Sequence, residues 1–104
     1  MAQAIHLNIY QLKKGVAEAD FLQAITRLVE EEIAQKKGFV SCELMKNDTQ
    51  WVDMIRFETE EDLKQFEEEA KNPSELALNF YSCINFMAKG GKHMKVTVQK
   101  SYEK

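Results

Sequence analysis

The sequence predicts an α+β domain with the element order β-α-β-β-α-β, and three observations predict it. Ala4 to Leu12 alternates apolar and polar residues with the period of a strand. Glu18 to Lys37 changes to a helical period. Two further alternating runs flank Asn47-Asp48-Thr49, a hairpin signal, and are followed by helical segments and a last alternating run. That order is the split βαβ arrangement of ferredoxin-like folds with an antiparallel sheet. A chain of 104 residues is sized for one domain spanning 1–104.

In the first strand Ile5, Leu7 and Ile9 share one face and His6, Asn8, Tyr10 and Leu12 the other. Lys13-Lys14-Gly15 ends it. In the first helix Phe21, Leu22, Ile25, Leu28, Val29 and Ile33 form one apolar stripe, and Gly38 is placed to end the helix as a C-cap. The hairpin's first strand sets Phe39, Ser41, Glu43 and Met45 opposite Val40, Cys42 and Leu44. Its second sets Trp51, Asp53, Ile55 and Phe57 opposite Val52, Met54 and Arg56.

Thr59 before Glu60-Glu61-Asp62 reads as an N-cap with acids in the first turn. Asn72-Pro73-Ser74-Glu75 reads as a second helix start, with Asn72 as cap and Pro73 at the first helical position. Leu76, Phe80, Cys83, Ile84 and Met87 form the stripe of that helix, and Gly90-Gly91 stops it. His93 to Lys100 alternates as the last strand, with Met94, Val96 and Val98 on one face.

Both faces of the hairpin strands carry large apolar groups, and one layer of helices covers only one face of a sheet. A second copy packed on the other face resolves the excess, so a homodimer through the sheet face is expected. Composition excludes other classes. With 44% hydrophobic and 30% charged residues the chain is globular, and a net charge of −3 gives no nucleic-acid footprint. No apolar run is long enough to cross a bilayer. MAQAIHLNIY lacks the basic start and long apolar core of a secretion signal, and Cys42 and Cys83 show no metal or redox spacing. Free thiols and a cytoplasmic location are expected.

Three stretches then carry a family likeness: a strand ending in Lys13-Lys14-Gly15, GFVSCEL from Gly38, and RFETEEDLKQF from Arg56. Over nearly its whole length the chain resembles the antibiotic-biosynthesis-monooxygenase-like branch of the dimeric α+β barrel superfamily. Gly38-Phe39 fits the glycine–aromatic pair that opens the second strand there. Phe57 stands where a tryptophan is usual, followed by the acidic turn Glu58 to Asp62. The resemblance implies two ferredoxin-like protomers packed sheet to sheet as a homodimeric α+β barrel, with a pocket between sheet and helices in each.

It also implies a cofactor-independent monooxygenase acting on a small aromatic or quinol substrate. Neither cofactor nor metal is then required, because an electron-rich substrate itself reduces dioxygen. Asn8, seven residues before Gly15, matches a catalytic asparagine of haem-degrading relatives. Phe66 and Asn79 stand approximately where those relatives have a tryptophan and a ligand histidine, so the haem ligand is missing. Asn8 and Tyr10 are the candidate catalytic pair, and His6, Phe57, Phe66, Asn79 and Phe80 the candidate substrate-binding residues.

Blander readings stand beside these. Asn8 as a strand asparagine bonded to backbone, and Tyr10, Trp51, Phe57, Phe66, Phe80 and Tyr81 as core, would leave a non-catalytic ligand-binding or structural homodimer. His6 and His93, the two histidines, are expected near opposite ends of the paired first and last strands, about 20 Å apart, too far to share a metal. Glu30 to Glu32 and Glu67 to Glu69 are expected to be solvated faces, since consecutive helical residues diverge by about 100°. Arg56 is open to either an anionic ligand or an ion pair with a helix acid.

Overall fold

A computed structural model describes residues 2–104. Strand β1 (Ala4–Leu12) leads to helix α1 (Glu18–Glu31), a 3₁₀ turn (Ile33–Gln35), and the hairpin of β2 (Phe39–Asn47) and β3 (Gln50–Phe57). Helices α2 (Glu60–Glu69) and α3 (Glu75–Tyr81) follow, then short β4 (Ile84–Asn85) and β5 (Lys92–Thr97). The α+β class and antiparallel sheet are as the periodicities predict. Strand order is β2-β3-β1, and the far edge of β1 is shared end to end by β5 and β4.

The pleat of β1 decides what each side of the sheet can do. Ala4, His6, Asn8, Tyr10 and Leu12 face the helices. Ile5, Leu7 and Ile9 face away, in line with Val52 and Met54 of β3 and with Met94 and Val96 of β5. On the helix side Trp51, Asp53, Ile55 and Phe57 are all buried. Phe21 of α1 packs at 4.9 Å from Trp51 and 6.0 Å from Tyr10, and Phe80 of α3 sits 5.9 Å from Tyr10. Fully burying each such ring contributes roughly 2–3 kcal/mol. A second aromatic group, Phe39, Phe57 and Phe66, closes the other end of this layer.

Several expectations shift in detail. The first helix stops at Glu31 and tightens into the 3₁₀ turn instead of running to Lys37. A register shift between Phe39 and Ser41 breaks the simple alternation of β2. It turns Phe39 and Cys42 to the same, helix-facing side, because Phe39 pairs with Phe57 and Cys42 with Ile55. The N-cap of α3 is Ser74, whose hydroxyl accepts from the Ala77 N–H, and Asn72 lies outside the helix. That helix ends at Tyr81, so Met87 is exposed and is no part of a buried stripe. Arg56 points to the open face and donates to Gln3 Oε1 at 3.0 Å, leaving it no part in the helix-side cavity.

Gly38 joins the 3₁₀ turn to β2 at φ +81°, and a Cβ there would overlap the Asp62 side chain. Gly38→Ala should therefore destabilise by at least about 1 kcal/mol, the cost of left-handed backbone for an L residue. The Gly38→Ala/Asp62→Ala double variant should recover the steric part only. Denaturant midpoints of the three proteins measure this; an unchanged midpoint for the single variant would contradict the constraint.

Candidate active site

The inner face of β1 carries a run of polar side chains into an otherwise apolar layer. Asp53, opposite Asn8 in the β1–β3 register, is 3% exposed. The Asn8 amide donates to Asp53 Oδ1 at 3.0 Å, and the same nitrogen lies 3.0 Å from His6 Nε2. The other ring nitrogen, His6 Nδ1, lies 3.0 Å from Glu67 Oε2. One chain of hydrogen bonds thus runs from a buried carboxyl, through an amide and an imidazole, to a half-buried carboxylate on α2. Phe66 packs edge-on against the His6 ring at 5.4 Å.

His93 corrects the expected histidine separation. Its Nε2 lies 3.1 Å from His6 Nδ1 and 3.5 Å from Glu67 Oε2. The reason is register. The short β4 takes the place opposite Gln11 and Leu12, so β5 pairs only with Ala4 to Ile9 and sets His93 opposite Asn8. Glu67 corrects the reading of its acidic run: it falls four residues after buried Leu63, on the inner face of α2, whereas Glu68 and Glu69 are exposed.

Two hollows meet at these residues. One, of about 260 Å³, lies between sheet and helices and is lined by His6, Asn8, Asp53, Phe66 and Phe80 among others. The second, of about 480 Å³, is lined by His6, Asn8, Tyr10, Phe80, Tyr81 and His93. His6 and Asn8 therefore stand on a wall common to both. A dry cavity of about 150 Å³ accepts benzene, so an aromatic ring fits either.

Burial sets the electrostatics. It raises the Asp53 pKa, an effect offset in part by the Asn8 bond and by the adjacent Tyr10 hydroxyl. It lowers that of His6, against the opposing bond to Glu67. Burial first, and nearby Asp53 second, push the Tyr10 phenol far up, so it stays protonated. The Tyr10 hydroxyl is buried and makes no hydrogen bond of acceptable geometry among the described residues. Burial and the neighbouring Asp53 raise the Cys42 thiol to about 11, so it is no nucleophile. Cys83 is free as well.

Of the residues singled out from sequence, His6, Asn8, Tyr10, Phe66 and Phe80 come together here. Phe57 is fully buried beneath Phe66 and lines neither hollow. Asn79 faces outward on α3, beside Asp20 and Arg27. Sequence reasoning missed Asp53, Glu67 and His93. Asp53 was visible as the one acid within the apolar stripe Trp51, Ile55 and Phe57. Glu67 was visible at the i+4 spacing from Leu63. The position of His93 required the sheet register.

Comparisons with known proteins bear on the fold. Neither a family model nor a curated protein matches the chain. Solved structures do. SnoaB, a cofactor-independent oxygenase from Streptomyces nogalater, is similar with a TM-score of 0.76 at 15% identity, over 100% of both chains. The monooxygenase from ActVA-Orf6 of Streptomyces coelicolor, in complex with nanaomycin D, gives 0.68 at 16% identity, covering 99% of this chain and 93% of that one. A candidate antibiotic biosynthesis monooxygenase from Bacillus cereus gives 0.64 at 23% identity, over 100% of both. The chain thus has the ferredoxin-like fold of these monooxygenases, in agreement with the resemblance carried by its motifs. Among the described residues no helix is long and apolar enough to cross a membrane.

The two buried titrations have opposite signs. Asp53, with its pKa raised above 3.8, binds more protons folded than unfolded, so its contribution to stability falls as pH rises through that window. His6, with its pKa lowered from 6.5, binds more protons unfolded, so its contribution falls as pH drops below 6.5. Asp53→Asn keeps an acceptor for Asn8 and removes the ionisation. It should be more stable than the parent at pH 7 to 8, with the difference vanishing below about pH 4. Urea midpoints across pH test this; parallel curves would show that Asp53 ionises without cost.

Proposed function

We propose that this protein is a cofactor-independent monooxygenase-like enzyme acting on a small hydroxylated aromatic or quinol bound between sheet and helices. The observation that carries the reading is the buried Asp53–Asn8 pair on the wall of a ring-sized cavity that Ile25, Leu28, Phe66 and Phe80 also line. A carboxyl with a raised pKa, one oxygen bonded to an amide, is suited to take the proton of a substrate hydroxyl. The resulting phenolate is electron-rich enough to reduce dioxygen directly. Insertion of one oxygen atom at a ring C–H and release of the other as water converts a hydroxyarene and dioxygen into a quinone and water, with atoms and electrons balanced.

In this reading Asp53 is the base. Asn8 holds it through one N–H and spends the other on His6 Nε2, and the Tyr10 phenol beside Asp53 tunes the same carboxyl. His6 orients the Asn8 amide. Phe66 and Phe80 sandwich the ring, with Phe57 supporting Phe66 from below. Asn79, on the outer surface, has no part. The fold shared with SnoaB and ActVA-Orf6 supports the reaction class.

The open sheet face supports a homodimer. Leu7, Ile9, Val52, Met54, Met94 and Val96 lie on that face across three strands, with Ile5 beside them already buried within the chain, and a second copy of that surface is the partner we assign to it. Two free cysteines suit a reducing cytoplasm.

Oxygen consumption with a panel of phenols and quinols tests the activity. Asp53→Asn should lower kcat by about 10²- to 10⁴-fold, the range for a lost general base. Asn8→Ala and Tyr10→Phe should lower it as well. A ligand present at 100 times its Kd should add about 2.7 kcal/mol to stability. Saturable ligand binding with no oxygen uptake would favour the non-catalytic binding dimer. Leu7→Arg should turn a dimer into a monomer by sedimentation; a wild type already monomeric would overturn the dimer.

A further inference from the structure

Three side chains from three elements converge at the outer end of the polar chain: His6 of β1, Glu67 of α2 and His93 of β5. His6 Nδ1, His93 Nε2 and Glu67 Oε2 form a triangle with edges of 3.0, 3.1 and 3.5 Å. Donor atoms bound at about 2.0–2.2 Å around a tetrahedral ion stand roughly 3.3–3.6 Å from one another. The triangle therefore approaches the spacing of three metal ligands with no movement of backbone. Hydrogen bonding accounts for two of the edges, with His6 Nδ1–H and His93 Nε2–H both donating to Glu67 Oε2, and leaves the 3.1 Å approach of the two ring nitrogens unexplained.

We propose that His6, Glu67 and His93 form a binding site for a divalent transition metal, with two imidazole ligands, one carboxylate ligand and an open side. Two nitrogens and one carboxylate oxygen suit zinc, cobalt or ferrous iron and disfavour magnesium and calcium, which take all-oxygen sites. His6 is 14% exposed, Glu67 21% and His93 53%, so the ion enters from the His93 side and keeps water opposite the protein ligands. Asn8 is the supporting partner. A histidine bound through Nδ1 carries its proton on Nε2, and the Asn8 carboxamide, turned over, presents its oxygen there; the same turn sets that oxygen 3.0 Å from Asp53 Oδ1, so this support requires Asp53 to be protonated and to donate to Asn8. Lys95 opposes the site electrostatically: its Nζ lies 3.6 Å from Glu67 Oε1, the oxygen turned away from the triangle. At 55% exposed, Lys95 has solvent to swing into.

The inference does not rest on the monooxygenase reading, which places the proton transfer at Asp53. The test uses the full chain without a histidine tag, freed of metal with a chelator and titrated with cobalt(II). One equivalent should bind with visible d–d absorption of tetrahedral or five-coordinate intensity, be displaced by zinc, and be unaffected by excess magnesium. His93→Ala and Glu67→Gln should each weaken binding more than the roughly 10- to 100-fold expected for Asn8→Ala, which removes only a supporting partner. Lys95→Ala should tighten it. Circular dichroism checks that each variant is folded, and the exposed Lys95 gives a variant that leaves the core untouched. Absence of the cobalt bands at millimolar metal would overturn the site. So would binding that His93→Ala and Lys95→Ala both leave unchanged.

Discussion

Burying the Asp53 carboxyl is the constraint on which the inner face of this sheet depends. It stands between Trp51 and Ile55 on β3, where an apolar residue would cost nothing, and taking a carboxyl out of water is costly unless its bonds are replaced. Asn8 replaces one of them. The amide of Asn8 in turn leans on His6, and His6 on Glu67, where the chain of bonds reaches water. Each member satisfies its neighbour, so removing any one leaves a buried polar group unpaired. The Tyr10 hydroxyl, buried beside the same carboxyl, also favours its charged form.

The backbone arrangement places these groups together by register. β1 is the central strand, and Asn8 pairs with Asp53 on one side and with His93 on the other. A single row of residues thus crosses three strands beneath the helices. The far edge of β1 is divided between two strands, and the two residues of β4 fix where β5 can begin. Without β4, the last strand could slide along β1, and a slip of one residue would turn His93 to the opposite face. Helix α2 supplies the third side, because Leu63, Phe66 and Glu67 share its inner face at three- and four-residue spacing.

Much of this was legible in the residues, and the exceptions have physical causes. Period two in β1 and β3, the helical stripe through Phe21, Ile25 and Leu28, and the Thr59 cap gave the elements and the fold, because those signals are local. The site was legible where one strand carried it: His6, Asn8 and Tyr10 share a face by alternation alone. It was illegible where it depended on how elements meet. The histidines were expected far apart because the division of one sheet edge between β4 and β5 has no strong local signature. Composition weighs Glu67, Glu68 and Glu69 alike, whereas the helix brings only Glu67 to His6 and His93. The register shift at Phe39 likewise leaves no mark in the hydrophobic pattern.

Strand β1 inverts the usual pattern of a sheet with one layer of helices, which buries apolar residues under the helices and turns polar ones outward. Here the helix side of β1 holds His6, Asn8 and Tyr10, and the open side holds Ile5, Leu7 and Ile9. Folding alone does not require that arrangement. Valine or isoleucine at the inner positions would stabilise the core more, and polar residues at the outer ones would keep a monomer soluble. Departures from the locally favoured residue gather at working sites, where the stability lost is tolerated for chemistry. The inner departures surround a ring-sized cavity and the outer ones form one continuous apolar surface. The proposed ligand chemistry inside and the proposed second copy outside would account for both with a single fold.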